Sequence, residues 1–124
     1  MFTIELDQTG SGLTIGYAGH VGPEEAHRCA EEMRLALTKM RPGFRLLVDL
    51  TELQSMDVSC SPLIANIMEI CNAAGVAEVI RIIPDPTRDI GLQILSFFHY
   101  GNDVYIRTCA TVAEAVEILQ TESA

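Results

Sequence analysis

Leu46-Leu47-Val48-Asp49-Leu50-Thr51, then Glu52 to Met56, then Asp57-Val58-Ser59-Cys60-Ser61-Pro62 is the stretch from which the rest of the chain can be ordered. A short apolar run ends on an aspartate. A polar loop leads to a second aspartate, and a serine cluster opens an apolar helix. Backbone N–H groups at a helix N-terminus lack partners inside the helix and sit at the positive end of its dipole. An anion such as a phosphate is therefore stabilised there. Serine at such a place also serves as an ordinary N-cap. The stretch alone leaves both uses open.

On the N-terminal side, Phe2 to Asp7 alternates apolar and polar residues, the period of a half-buried strand. Gln8 to Gly12 is a hairpin-type turn, and Leu13 to Ala18 resumes the alternation. Gly19-His20-Val21-Gly22 is expected to break it. Pro23 suits a first helical turn, with Glu24 and Glu25 at the positive end of the dipole. Cys29, Met33, Ala36, Leu37 and Met40 recur at helical spacing, and Arg41-Pro42-Gly43 stops the helix.

Phe44 to Leu50 reads as a central strand, interrupted in its apolar run by Arg45 and Asp49. Pro62 to Ala74 predicts a helix capped by Gly75. Val76 to Ile83 is another strand, closed by Pro84-Asp85-Pro86. Thr87 opens a helix to about Tyr100, and Asp103 to Thr108 is a last short strand. Thr111-Val112-Ala113-Glu114 is a capping box that starts a helix to about Gln120. The order β-β-α-β-α-β-α-β-α implies one α/β domain over residues 1–124. Its expected core is a mixed, mostly parallel sheet of about five strands with about four helices.

Composition excludes several classes. The chain has 124 residues, 48% hydrophobic and 20% charged, which is ordinary for a globular domain. Its net charge is −9 and Lys39 is its single lysine, so no basic stripe exists to bind nucleic acid or an anionic membrane. No apolar run approaches the ~20 residues of a membrane span. The N-terminus carries no signal-peptide pattern, and a cytoplasmic location is expected. Cys29, Cys60, Cys71 and Cys109 form no C-x-x-C pair, and His20, His27 and His99 are widely spaced. No metal or other cofactor is expected.

Enzyme readings find little support. Asp49 ends a strand as a receiver-type phosphoacceptor would, but Asp7 stands alone and Lys39 lies in the first helix. Cys60 lies near a helix N-terminus, where a thiol can ionise, yet no histidine is near it in sequence to act as base, and a packed or idle thiol is expected. Gly10-x-Gly12 sits in a strand–strand turn and fails the context of a dinucleotide fingerprint. No catalytic activity is expected.

In the helix after the serines, Leu63, Ile67, Ile70, Cys71 and Ala74 share one face and are expected to be core. Ile64 and Met68 lie at the edge of that stripe. They are expected either to form an adaptable docking patch or to be covered by neighbours.

With these motifs in order, the chain resembles the STAS domains of bacterial anti-sigma factor antagonists, the SpoIIAA-like family. The resemblance covers nearly the whole chain. It is strongest at Leu47-Val48-Asp49-Leu50-Thr51 with Met56-Asp57-Val58-Ser59, and continues through Gly75-Val76, Pro84 and Thr111-Val112-Ala113-Glu114-Ala115-Val116. The chain departs from the family pattern at Val58, Cys60 and Pro62.

The resemblance implies a regulatory protein-binding module whose partner is an anti-sigma factor or serine protein kinase. It implies Ser59 as the phosphorylated residue, with Ser61 as runner-up, and Asp49 as support for the loop. Partner contacts are expected from Asp57, Ser59, Cys60, Ile64 and Met68. The alternative is a non-phosphorylated scaffold of the same fold, or a lipid- or nucleotide-binding module with a groove beside the helix from Thr87 to Tyr100.

Overall fold

A computed structural model describes residues 1–84, 100 and 103–122. The elements run β1 (Phe2–Leu6), β2 (Gly12–Val21), α1 (Pro23–Leu37), β3 (Arg45–Met56), a 3-10 turn (Val58–Cys60), α2 (Ser61–Ala73), β4 (Glu78–Ile82), β5 (Tyr105–Cys109) and α3 (Val112–Glu122). The five strands lie side by side in chain order. β1 is antiparallel to β2, and every later pairing is parallel. This matches the expected α/β class and mixed sheet, with three helices among the described residues instead of about four. The predicted helix from Thr87 falls outside the described residues, apart from Tyr100.

Side chains alternate across the sheet and divide the core in two. Leu46, Val48, Leu50 and Val79 join the buried residues of α1 and α2. Leu47, Ile80 and Ile82 join Ala115, Ile118 and Leu119 of α3. Two helices therefore cover one face and α3 the other. Each fully buried Leu, Ile or Phe side chain contributes about 1.5–3 kcal/mol.

Local chemistry explains the element ends. Pro23 stands at the start of α1 with Glu24 and Glu25 in its first turn. The helix stops at Leu37, before Met40, and the Thr38 hydroxyl donates to the Leu35 carbonyl (2.6 Å). At the end of α2, Gly75 adopts a left-handed φ of 92°. Its N–H donates to Asn72 C=O, and Val76 N–H donates to Cys71 C=O, at 3.1 and 3.2 Å. This is the paired closure that glycine permits after a helix. At α3 the Thr111 hydroxyl accepts from Glu114 N–H (3.2 Å), while the Glu114 carboxylate takes Ala110 N–H (3.4 Å).

Two expectations are corrected. Gly19 does not end β2, which runs to Val21, and residues 52–56 are strand, not loop. The β2–β3 register explains both. Gly16 pairs with Asp49 but Ala18 with Glu52, and Gly19 pairs with Leu53 but His20 with Ser55. Each step inserts one extra residue into β3, a bulge that lets the two strands continue together. Asp49 is also the last β3 residue paired with β4. Beyond it, β3 continues its pairing with β2 to Val21↔Met56.

A charged cluster ties α3 to the opposite end of the sheet. The Glu78 carboxylate, nearly buried, accepts a hydrogen bond from Arg45 Nε (2.8 Å) and forms an ion pair with Arg107, whose Nε lies 2.8 Å from its other oxygen. Arg45 also donates to the carbonyls of Leu119 (3.1 Å) and Ile118 (3.4 Å), where the α3 dipole favours a cation.

Candidate functional site

β3 delivers Asp57 to the end of β2, where Asp57 N–H donates to Val21 C=O (2.9 Å). The chain then tightens into the 3-10 turn. One oxygen of the Asp57 carboxylate, Oδ1, accepts both the backbone N–H of Ser59 (2.9 Å) and its hydroxyl (2.7 Å). Cys60 N–H donates to Asp57 C=O (2.9 Å), and Ser61 N–H donates to Val58 C=O. Asp57, Val58, Ser59 and Ser61 are exposed, Val58 at 86%. The Ser59 N–H and then its hydroxyl hold the Asp57 carboxyl below its usual range, so it is ionised at neutral pH.

This geometry corrects the reading of the turn as a ready anion site. Asp57 caps it, and the N–H groups of Ser59, Cys60 and Ser61 are already used, while Pro62 has none. Ser61 does not cap the helix either. It is the first residue of α2, whose N-cap is Cys60 without a side-chain bond.

Three of the five expected contact residues are covered. Cys60 is fully buried, with its Sγ donating to Val21 C=O (3.6 Å). Burial pushes its thiol pKa up, and the Asp57 charge pushes it further. It therefore lacks the depressed pKa of an activated nucleophile. Ile64 and Met68 are buried as well, so they form no exposed patch. The reason is that both face the sheet side of the core, opposite residues of β2, β3 and β4.

Asp49 stands apart from the turn, with the strand residues 50–56 between them. Its Oδ1 accepts the Thr51 N–H (2.9 Å) and the Thr51 hydroxyl, and so serves the first bulge.

The structure adds residues that the sequence did not single out. His20 Nδ1 is hydrogen-bonded to Ser55 Oγ at 2.7 Å. An open depression lined by Pro23, Glu24, His27, Arg28 and Leu63 lies between α1 and α2. Inside the domain, Ile64, Ile67 and Met68 of α2 face Ile15, Leu46 and Val79 across a cavity of about 40 Å³. Sites for drug-sized ligands measure ~300–1,000 Å³, so this space admits neither a lipid tail nor a nucleotide. The expected groove beside the helix from Thr87 falls outside the described residues. Among the described residues, no helix is long and apolar enough to cross a membrane.

No family model and no curated protein matches the chain. Solved structures do. The anti-sigma factor antagonist SpoIIAA in its unphosphorylated form is 19% identical with a TM-score of 0.66, covering 97% of this chain and 98% of that one. The Bacillus cell fate determinant SpoIIAA in its phosphorylated form is 20% identical with a TM-score of 0.63, covering 96% and 99%. A DUF3478-family protein with a SpoIIAA-like fold from Shewanella loihica PV-4 is 17% identical with a TM-score of 0.70, covering 96% and 92%. From its first strand to its last helix, the chain has the SpoIIAA-like fold of anti-sigma factor antagonists.

Proposed function

We propose that this chain is a regulatory protein-binding module, switched by phosphorylation of Ser59 and read by an anti-sigma factor or serine protein kinase. The observation that carries the reading is the exposed Ser59 hydroxyl, held on Asp57 at the tip of the β2–β3 extension. The kinase reaches the hydroxyl from solvent. Partner contact comes from exposed Asp57, Val58 and Ser59, with Cys60, Ile64 and Met68 supporting the surface from beneath. A phosphate adds about −1.5 to −2 charges at pH 7. Beside ionised Asp57 these charges repel, and in a docked interface they lose solvent.

The test uses the anti-sigma-type serine kinase encoded nearest the gene, with ATP. One phosphate is expected, placed on Ser59 by mass spectrometry. Ser59→Ala abolishes it and keeps partner binding. Ser59→Asp weakens binding by about 1–3 kcal/mol, the scale of a charge left poorly paired. Phosphate found only on Ser61 moves the site by two residues. No phosphate, together with unchanged binding by Ser59→Asp, removes the switch and leaves the non-phosphorylated scaffold.

A further inference from the structure

Among the described residues, β1 is the outer strand of the sheet and is paired on one side only. Its odd-numbered residues bond inward. Ala18 N–H donates to Met1 C=O (2.7 Å), and Asp7 N–H donates to Gly12 C=O (3.0 Å). Backbone groups of successive residues in an antiparallel ladder point to opposite sides. The N–H and C=O groups of Phe2, Ile4 and Leu6 therefore point outward. Outer strands are commonly blunted by lysine, proline or a bulge. Phe2-Thr3-Ile4-Glu5-Leu6 has none of these, and its register against β2 is unbroken from Phe2↔Tyr17 to Leu6↔Leu13.

The strand also complements itself. In an antiparallel pairing centred on Ile4, Ile4 meets its own counterpart, Phe2 meets Leu6, and Thr3 meets Glu5. The even-numbered pairs are the ones that exchange two backbone bonds each, so every outward group of the strand is satisfied. Phe2 and Ile4 already pack on the core, while Leu6 is 38% exposed. A Phe2–Leu6 contact extends the apolar layer across the axis and covers Leu6. The strand's one charge, Glu5, faces a threonine and never another carboxylate.

We infer that β1 pairs with β1 of a second copy of this chain, joining two sheets into one across a two-fold axis. This does not rest on the reading of Ser59.

Sedimentation velocity of the full chain, from micromolar to millimolar concentration, tests it. The mass is expected to double from 13.6 kDa as concentration rises. Thr3→Glu sets two glutamates opposite each other twice, and is expected to weaken the dimer about 2- to 30-fold. Adding Glu5→Thr to that variant restores the complementary pairs at the original net charge, and the affinity with them. Leu6→Pro removes an outward N–H without touching a bond to β2, and is expected to abolish the dimer while circular dichroism shows the fold intact. A chain that stays monomeric at millimolar concentration overturns the proposal. So does a dimer that Thr3→Glu leaves unchanged.

Discussion

At the residue scale, one carboxylate oxygen organises the candidate site. Asp57 Oδ1 receives both the N–H and the hydroxyl of Ser59, and both bonds favour its charged form. The folded pKa lies below the unfolded value. The stabilisation is therefore present above the unfolded pKa, near 3.9, and is lost as pH falls through the folded value. A carbon-detected NMR titration should place the Asp57 midpoint below 3.8, its ordinary value. Ser59→Ala should raise that midpoint only part of the way, because the backbone N–H is the larger cause and remains. A midpoint already at the ordinary value in the native chain would contradict the hydrogen-bonded turn. The aspartate and serine were legible from their spacing. The lack of a base near Cys60 already favoured a packed thiol, and its burial agrees, whereas the direct partner contact expected of it does not.

At the element scale, the β2–β3 ribbon and the docking of α3 carry most of what the sequence concealed. Leu50, Leu53 and Met56 reach the same core at spacings of three, not two. Two bulges cause this, and they erased the alternation by which a strand is recognised. The Arg45–Glu78–Arg107 cluster likewise gives no local signal, since its members lie on three strands. Glu78→Ala leaves two guanidiniums without their shared carboxylate. The expected cost in urea unfolding is about 2–3 kcal/mol, reduced from the range for fully buried pairs because Arg107 is partly exposed. Hydrogen exchange should accelerate first in α3, whose carbonyls Arg45 holds. A loss below about 0.5 kcal/mol would mean that solvent screens the cluster.

At the scale of the whole molecule, the four thiols report on the integrity of the core. All four are free and buried. Burial pushes Cys29 up to about 11 and Cys71 up to about 12, and raises Cys60 and Cys109. Little thiolate exists at pH 8, and none of it is accessible. Labelling with an aromatic disulfide is expected to wait on unfolding at all four positions, at rates that rise together with urea. Rapid modification of Cys60 in the native chain would reopen the nucleophile reading.

Sequence alone determined the α/β class and the order of most elements, and the resemblance singled out Asp57 and Ser59, but not the bond between them. Hydrophobic period, helix caps and turn residues are local properties, written within a few positions of where they act. Tertiary structure alone decided that Ile64 and Met68 are core, that Asp49 serves a bulge, and that Arg45, Glu78 and Arg107 meet. Each depends on which elements become neighbours, and the sheet that lies under Ile64 and Met68 is assembled from strands that no window of sequence contains. The outer position of β1 is of the same kind. Its alternation was plain in the sequence, but only the assembled sheet leaves one edge of it without a neighbour among the described residues.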